Sequence, residues 1–472
     1  METQPVRPAA TGSVPVPLAE VLRIAGEYER AGRLQESQRL LRHVLEAMPN
    51  QGDALHLAGI VAFRLGDPAA ALDYMQRSLT HGIDTPLYLR NICEVYRTLG
   101  RLDEALEAAQ RATTLAPSDP LCLHNQAIIH YHRLELDAAL DCAGRALAID
   151  PGLPGGHFVR AEALLLRGEM AEGWEEYEWR FRIASAAPLM PPTDKPQWDG
   201  SGFTGRTLLL IADQGFGDAI QFMRYIPWVM QRCPSVAIAC SEEVRPLLRQ
   251  LAPQAVLFTQ WRDCPEYAAF CALSGLPRLH GTRLESVPAP VPYLHADPAL
   301  VAQWSARLDA LVPAGFRRVG VIWAGRPTHS NDRNRSALLA DFRRLGNVPG
   351  TALLALQKGP KTGQAGAWFG RAPLVNLGAE IGGYDDTMAI LANLDLLVTV
   401  DTSVAHLAGA MGRQVWIMLP RAPDWRWLLE REDSPWYPTV RLFRQTTVRR
   451  WDDVFERIVA TLQAAGPTRK GG

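Results

Sequence analysis

The chain has 472 residues, more than a single core organises, so two or three domains are expected. A formal net charge of -1 with 21% charged residues excludes a nucleic-acid binder that works by bulk charge, and excludes an acidic disordered chain. A hydrophobic content of 47% supports well-packed cores.

In chain order, residues 1–16 are polar and proline-bearing and read as a disordered N-terminus with no apolar leader core. The next stretch has a 34-residue period. Gly32, Gly66, Gly100 and Gly168 share a register in which Leu134 fills the remaining place. Pro49, Pro117 and Pro151 keep the same step, with Ile83 in the gap, as do Ser37, Ala71, Ala105, Ala139 and Gly173. Glycine ends the first helix of each pair, the small residue lets two helices approach, and proline stops the second helix. The period resembles that of tetratricopeptide repeats. About five helix pairs over residues 17–183 therefore form an α-solenoid, whose groove implies a protein or peptide partner; a structural spacer is the plainer alternative. The stretch Trp174-Glu175-Glu176-Tyr177-Glu178-Trp179-Arg180 closes the last pair, and its aromatics cap the array against the next domain.

Residues 184–205 are rich in proline and glycine and read as a linker anchored by Trp198. Beyond it, apolar runs alternate with amphipathic stretches, the pattern of parallel α/β sheets. Strands are expected at Thr207–Ala212, Val236–Cys240, Val256–Thr259, Arg318–Trp323, Ala352–Gln357, Leu394–Val400 and Gln414–Met418. Helices are expected at Ala219–Gln231, Glu242–Leu251, Pro298–Leu311, Leu338–Leu345, Tyr384–Asn393, Val404–Met411 and Val454–Ala464. The alternation makes two Rossmann-like lobes, residues 206–296 and 297–472. The seven cysteines contain no Cys-x-x-Cys pair and suit reduced thiols in the cytoplasm. No apolar run reaches the ~20 residues of a spanning helix, so no transmembrane segment is expected; peripheral contact with the inner membrane face stays compatible.

Ligands in such sheets bind beyond the carboxyl ends of strands, which singles out three loops. In Asp213-Gln214-Gly215-Phe216-Gly217-Asp218, the glycines Gly215 and Gly217 permit close approach. Asp218 is either a helix-start carboxylate or a general base for an acceptor hydroxyl. The loop Trp323 to Ser336 combines Gly325 with Arg326, Arg333 and Arg335, whose planar donor forks suit phosphate oxygens. In Asp401-Thr402-Ser403-Val404-Ala405-His406, a strand delivers Asp401 to the edge. Thr402 or Ser403 caps a helix whose first N–H groups offer an anion site, and His406 projects nearby. No Asp-x-Asp pair occurs, so no metal is expected.

The segment from about Pro196 onward resembles the heptosyltransferase-like glycosyltransferases (family 9), in the branch fused to tetratricopeptide repeats. The layout is also similar to bacterial relatives of O-linked N-acetylglucosamine transferase. The motifs are Gly215-Phe216-Gly217-Asp218 with Gln221-Phe222-Met223-Arg224-Tyr225, Asn331-Asp332-Arg333-Asn334-Arg335-Ser336, and Val400-Asp401-Thr402-Ser403-Val404-Ala405-His406-Leu407-Ala408-Gly409. The tail motifs Pro423-Asp424-Trp425-Arg426-Trp427 and Asp433-Ser434-Pro435-Trp436-Tyr437-Pro438 also fit that branch.

The resemblance implies a GT-B fold and inverting transfer from a nucleotide-sugar donor to a protein or glycan acceptor, with no cofactor. It implies Asp218 as base, on an acceptor side that includes Gly215, Gly217 and Gln221. Asp401, Thr402, Ser403, Val404 and His406 then stand near the donor diphosphate, with Gly325, Arg333 and Arg335. Family members often carry a lysine where this chain has Ser330; Arg333 or Arg335 stands in for that charge. Two other readings are a repeat scaffold with an inactive transferase-like domain and a two-lobed nucleotide-sugar epimerase.

Overall fold

The computed structural model describes residues 17–81, 85–183, 193–288, 291–329 and 331–465. The expected disordered N-terminus, Ile83, residues 184–192 of the linker and Ser330 lie outside the described residues. The chain divides into two compact units, Met1–Leu153 and Pro154–Gly472.

The first unit is a helical-repeat solenoid. Its pairs are α1 (Leu18–Arg30) with α2 (Leu34–Ala47), α3 (Gly52–Arg64) with α4 (Pro68–His81), α5 (Pro86–Leu99) with α6 (Leu102–Leu115), and α7 (Pro120–Arg133) with α8 (Leu136–Ile149). The expected turns are present. Gly32, Gly66 and Gly100 have φ of 75°, 86° and 77°, and Leu134 adopts 64° in the same role. Each turn closes with the amide after it donating to a carbonyl five residues back, as in Arg33 to Tyr28 at 2.8 Å and Glu135 to His130 at 3.0 Å. The small residues of the second helices are buried, as is a small row on the first helices, Ala25, Gly59, Cys93 and Ala127, and Ser37 Oγ donates to the Ala25 carbonyl at 2.8 Å. A Cβ on Gly59 would lie 3.2 Å from the Ala71 carbonyl oxygen and 2.6 Å from Met75 Cγ, so this helix pair is tightly packed there. Neighbouring first helices are joined at a 35-residue spacing, by Asn91 to His56 at 2.9 Å and by Asn125 Nδ2 donating to the Arg90 carbonyl at 3.3 Å.

Leu134 keeps a left-handed backbone that costs a Cβ-bearing residue about 1–2 kcal/mol. Part of that cost is offset by its half-buried side chain and by the larger unfolded-state entropy of glycine. Leu134→Gly is therefore expected to stabilise the first unit by about 0.5–1 kcal/mol in urea denaturation followed by helical circular dichroism.

The second unit opens with a fifth helix pair, α9 (Pro154–Arg167) and α10 (Met170–Tyr177). Its turn repeats the pattern, with Gly168 at φ 89°. The pair was expected to end the solenoid but belongs to the α/β unit. The reason is its aromatic surface. Trp174 is 2% exposed, donates its indole N–H to the Thr282 carbonyl at 3.0 Å, and meets Trp425 edge-on at 5.2 Å between ring centres. Trp198 anchors the described end of the linker as expected, its amide donating to the Phe270 carbonyl at 2.8 Å.

The first sheet comprises β1 (Leu208–Ile211), β2 (Val236–Ala239), β3 (Val256–Phe258) and β4 (Ala269–Ala272) in the order β3-β2-β1-β4, all parallel. Its helices are α11 (Phe216–Phe222), α12 (Ile226–Arg232), α13 (Arg245–Leu251) and α14 (Leu276–His280). The single helix expected over Ala219–Gln231 breaks after Phe222 into a 3-10 turn, because Pro227 cannot supply a helical N–H.

After α15 (Pro298–Leu311), the second sheet comprises β5 (Arg317–Ile322), β6 (Thr351–Ala355), β7 (Leu374–Asn376), β8 (Leu396–Val400), β9 (Val415–Leu419) and β10 (Val440–Arg444). Its order is β10-β9-β8-β5-β6-β7, again all parallel. The helices of this lobe are α16 (Asp332–Arg335), α17 (Arg343–Gly346), α18 (Tyr384–Ala392), α19 (Ser403–Ala410) and α20 (Asp452–Ala464). The residues expected to form a helix at Leu338–Leu345 instead split into a 3-10 turn, Leu339–Phe342, and α17. Strands β5, β6, β8 and β9 are buried along their whole length, as a parallel sheet covered on both faces requires. Counted from its own first strand this order is 3-2-1-4-5-6, the doubly wound arrangement with a crevice where the winding reverses, here between β5 and β8. The first sheet reverses between β1 and β4.

Candidate functional site

The three loops singled out in the sequence all leave strands that flank these two reversal points. In the first lobe, Asp213 follows β1 and is 3% exposed. Its carboxylate accepts from the Ser274 amide at 3.2 Å and from the Ser274 hydroxyl, which ties the loop after β1 to the end of β4. Arg180, 5% exposed, reaches the same serine and places its Nε 3.9 Å from Asp213. Burial pushes the Asp213 carboxyl upward against that guanidinium.

Gly215 precedes α11 and Gly217 lies in its first turn; α11 packs on α19 of the second lobe. A Cβ on Gly217 would stand 2.9 Å from His406 Cδ2 and 3.5 Å from Ser403 Cα. The bare backbone is what brings the two helix starts together. Asp218, on the first turn of α11, is ion-paired with Arg426, and Gln221 one turn later accepts from Arg426 Nε at 2.5 Å. Burial raises the Asp218 carboxyl above the usual aspartate range, although Arg426 opposes the rise.

In the second lobe, Gln357 at the end of β6 accepts from the Trp323 and Ala324 amides at 3.2 and 2.9 Å and fixes the start of the loop after β5. The Gly325 amide donates to Ser336 Oγ at 3.0 Å. Arg335 lies over Gly325 so closely that a Cβ there would be 2.6 Å from its Nη2. Its Nε lies 3.8 Å from Asp332 Oδ1 and has no hydrogen-bond partner among the described residues. Arg333 is exposed.

The loop after β8 carries Asp401, side-chain 14% exposed, whose carboxyl burial raises further above the ordinary range than the nearby arginines lower it. Thr402 takes the N-cap position of α19, as expected, but its side chain makes no capping hydrogen bond. The Thr402 hydroxyl turns to Thr399 Oγ1 at 3.2 Å, and Ser403 Oγ accepts from Tyr384 at 2.8 Å. The first-turn amides of α19, at Ser403 and the half-buried Val404, are thus left without a side-chain cap. His406 is 5% exposed, with Nδ1 3.0 Å from Tyr437 OH and Nε2 3.9 Å from Asp401. Burial holds its imidazole far below its usual pKa, so it is neutral and ready to hydrogen-bond rather than to carry charge.

The structure thus gathers Gly217, Asp218, Gln221, Asp401, Ser403 and His406 at one place, with Arg335 on Gly325 at the adjoining loop. Arg426 and Tyr437 were not anticipated as site residues; both lie in the tail motifs that carry part of the resemblance. The collected groups are a buried carboxylate, an uncapped helix start and a guanidinium. They suit a hydroxyl on one side and an anion on the other.

The tetratricopeptide repeat family model matches residues 91–119. The N-terminal array is built of tetratricopeptide repeats. Protein FlbA of Caulobacter vibrioides (strain ATCC 19089 / CIP 103742 / CB 15) is 26% identical over 334 residues, covering 65% of this chain and 54% of FlbA. The chain therefore spans about half the length of that curated relative. Among solved structures, MamA is similar at 17% identity over 35% of this chain and 98% of its own, with a TM-score of 0.31. YrrB, described as a TPR protein with an unusual peptide-binding site, is similar at 18% identity over 35% of this chain and 85% of its own, with a TM-score of 0.30. No described helix is long and apolar enough to cross a membrane.

Proposed function

We propose that the second unit is an inverting, metal-independent glycosyltransferase of GT-B architecture, and that the repeats recruit a protein or glycan acceptor. The observation that carries this reading is the approach of the α11 start to the α19 start, each beyond the carboxyl end of a parallel sheet, with Gly217 against His406. In this reading the nucleotide sugar lies in the second lobe. Its phosphates meet the Ser403 and Val404 amides and the Arg335 guanidinium, which stabilise the charge that builds on the leaving group. An acceptor hydroxyl enters from the first lobe and attacks the anomeric carbon from the face opposite the nucleotide. The bond from that carbon to the phosphate oxygen breaks, its electron pair stays with the nucleotide, and the hydroxyl proton passes to Asp218. Neutral His406 is oriented by Tyr437 at Nδ1 and has its other ring nitrogen 3.9 Å from Asp401.

The test is nucleotide release from UDP-, GDP-, ADP- and CMP-sugars in the presence of EDTA. Release that persists in EDTA and drops in Arg335→Ala through a higher KM is the expected result; strict dependence on a divalent ion argues against it. The scaffold reading draws support from the ion pair that Asp218 already makes with Arg426. Calorimetry separates the two: a scaffold binds the nucleotide sugar without turnover across a broad acceptor screen.

A further inference from the structure

Three consecutive residues after β9 each face a different element. Trp425 meets Trp174 and Tyr177 of α10 at 5.2 and 5.9 Å between ring centres. Arg426 meets Asp218 and Gln221 of α11. Trp427 stands 5.3 Å from His406 of α19. The middle residue is the one with chemistry to spare. Arg426 is 7% exposed, and its guanidinium hydrogen-bonds Gln221 Oε1 at 2.5 Å, Asp424 Oδ1 at 2.7 Å and Asp218 Oδ1. A cation buried to this depth persists only where anions and acceptors surround it, and a buried carboxylate likewise needs a cation if it is to stay ionised.

We propose that Arg426 is a positioning residue that keeps Asp218 ionised and fixes one of its oxygens, so that the carboxylate can accept a proton in a site otherwise dry enough to neutralise it. The turn is braced from behind by α10, which makes the fifth helix pair part of the catalytic body. The proposal rests on the transferase reading for its purpose, while its electrostatics stand without it. The charged and titratable groups facing Asp218 are Arg426 and Asp424 from this turn, Asp213 on its own loop, Tyr177 from α10 and His329 from the loop after β5, while His406 of α19 lies against the neighbouring Gly217. Among them Arg426 is the cation in contact with it. An Asp218 without Arg426 would take up a proton well above the usual aspartate range and lose its capacity as a base.

The experiment titrates Asp218 directly in the full chain labelled with carboxyl-13C aspartate, its resonance identified by its loss in Asp218→Asn. In Arg426→Gln the midpoint is expected to rise by about 1–3 pH units. In Arg426→Lys, which restores the charge, it should stay within about half a unit of wild type. Asp424→Asn removes a neighbouring anion and should lower it. An unmoved midpoint in Arg426→Gln overturns the proposal. If that variant fails to fold, an unmoved or raised midpoint in Asp424→Asn does so instead. Nucleotide release measured on the same proteins keeps the two readings apart. Shifts as expected without any release retain the role of Arg426 and remove the transferase reading; release with an unmoved midpoint does the reverse.

Discussion

Asp218→Asn is expected to lower turnover by about 10²–10⁴-fold while leaving donor binding close to wild type, because a general base contributes to the transition state and little to the ground state. The substitution keeps the shape of the side chain and an oxygen for Arg426, which retains Asp424 as its counter-charge. The loss should therefore fall on kcat and not on folding. The same carboxyl sets the pH dependence. Burial lifts Asp218 above the ~4 of an exposed aspartate, more than Arg426 lowers it. Below its raised pKa the group is protonated and cannot accept the hydroxyl proton. Turnover should thus fall as pH drops, along an acid limb displaced upward from the ordinary aspartate range. Nucleotide release followed from pH 5 to 9 checks both statements, and full activity in Asp218→Asn would remove this residue from the mechanism.

Trp174→Ala is expected to destabilise the second unit by about 3–5 kcal/mol. The ring is 2% exposed, packs edge-on against Trp425 and Trp436, and spends its N–H on the Thr282 carbonyl. Truncation leaves a cavity among rigid aromatics and strands that carbonyl. Trp174→Phe keeps much of the packing and should cost less. Tryptophan fluorescence reports this unit selectively, since all 13 tryptophans of the chain lie at Trp174 or beyond. A denaturation midpoint unchanged in Trp174→Ala would show that α10 is not integral to the α/β body.

The repeat was legible because its turn geometry is periodic. A left-handed residue is needed every 34 positions, glycine meets the need cheaply, and Leu134 meets it at a cost. The unit boundary was not legible. The fifth pair carries the same turn signal at Gly168, and only the partners of Trp174, 108 residues away at Thr282, assign it to the α/β body. Strands made of long buried runs were anticipated, such as β5 and β8. Three others were missed. β7 is three residues long and partly exposed, β10 carries two arginines among its five residues, and β4 is a short Ala-Phe-Cys-Ala run. At the site, strand-end loops pointed to Asp218, Ser403 and His406, yet nothing in the local pattern reveals that β5 lies beside β8. The pair Asp218 and Arg426 is 208 residues apart in the chain and leaves no periodic trace. Gly217 permits close approach, as its motif suggests, and the group that approaches is the His406 ring.

The most direct test is a crystal structure of the full chain soaked with whichever nucleotide the release assay selects. Phosphate density within hydrogen-bond distance of the Ser403 and Val404 amides and of Arg335, with the sugar side open toward Asp218, is the predicted result. A nucleotide bound elsewhere on the molecule, or an empty gap at saturating ligand, would contradict the assignment of this site to sugar transfer.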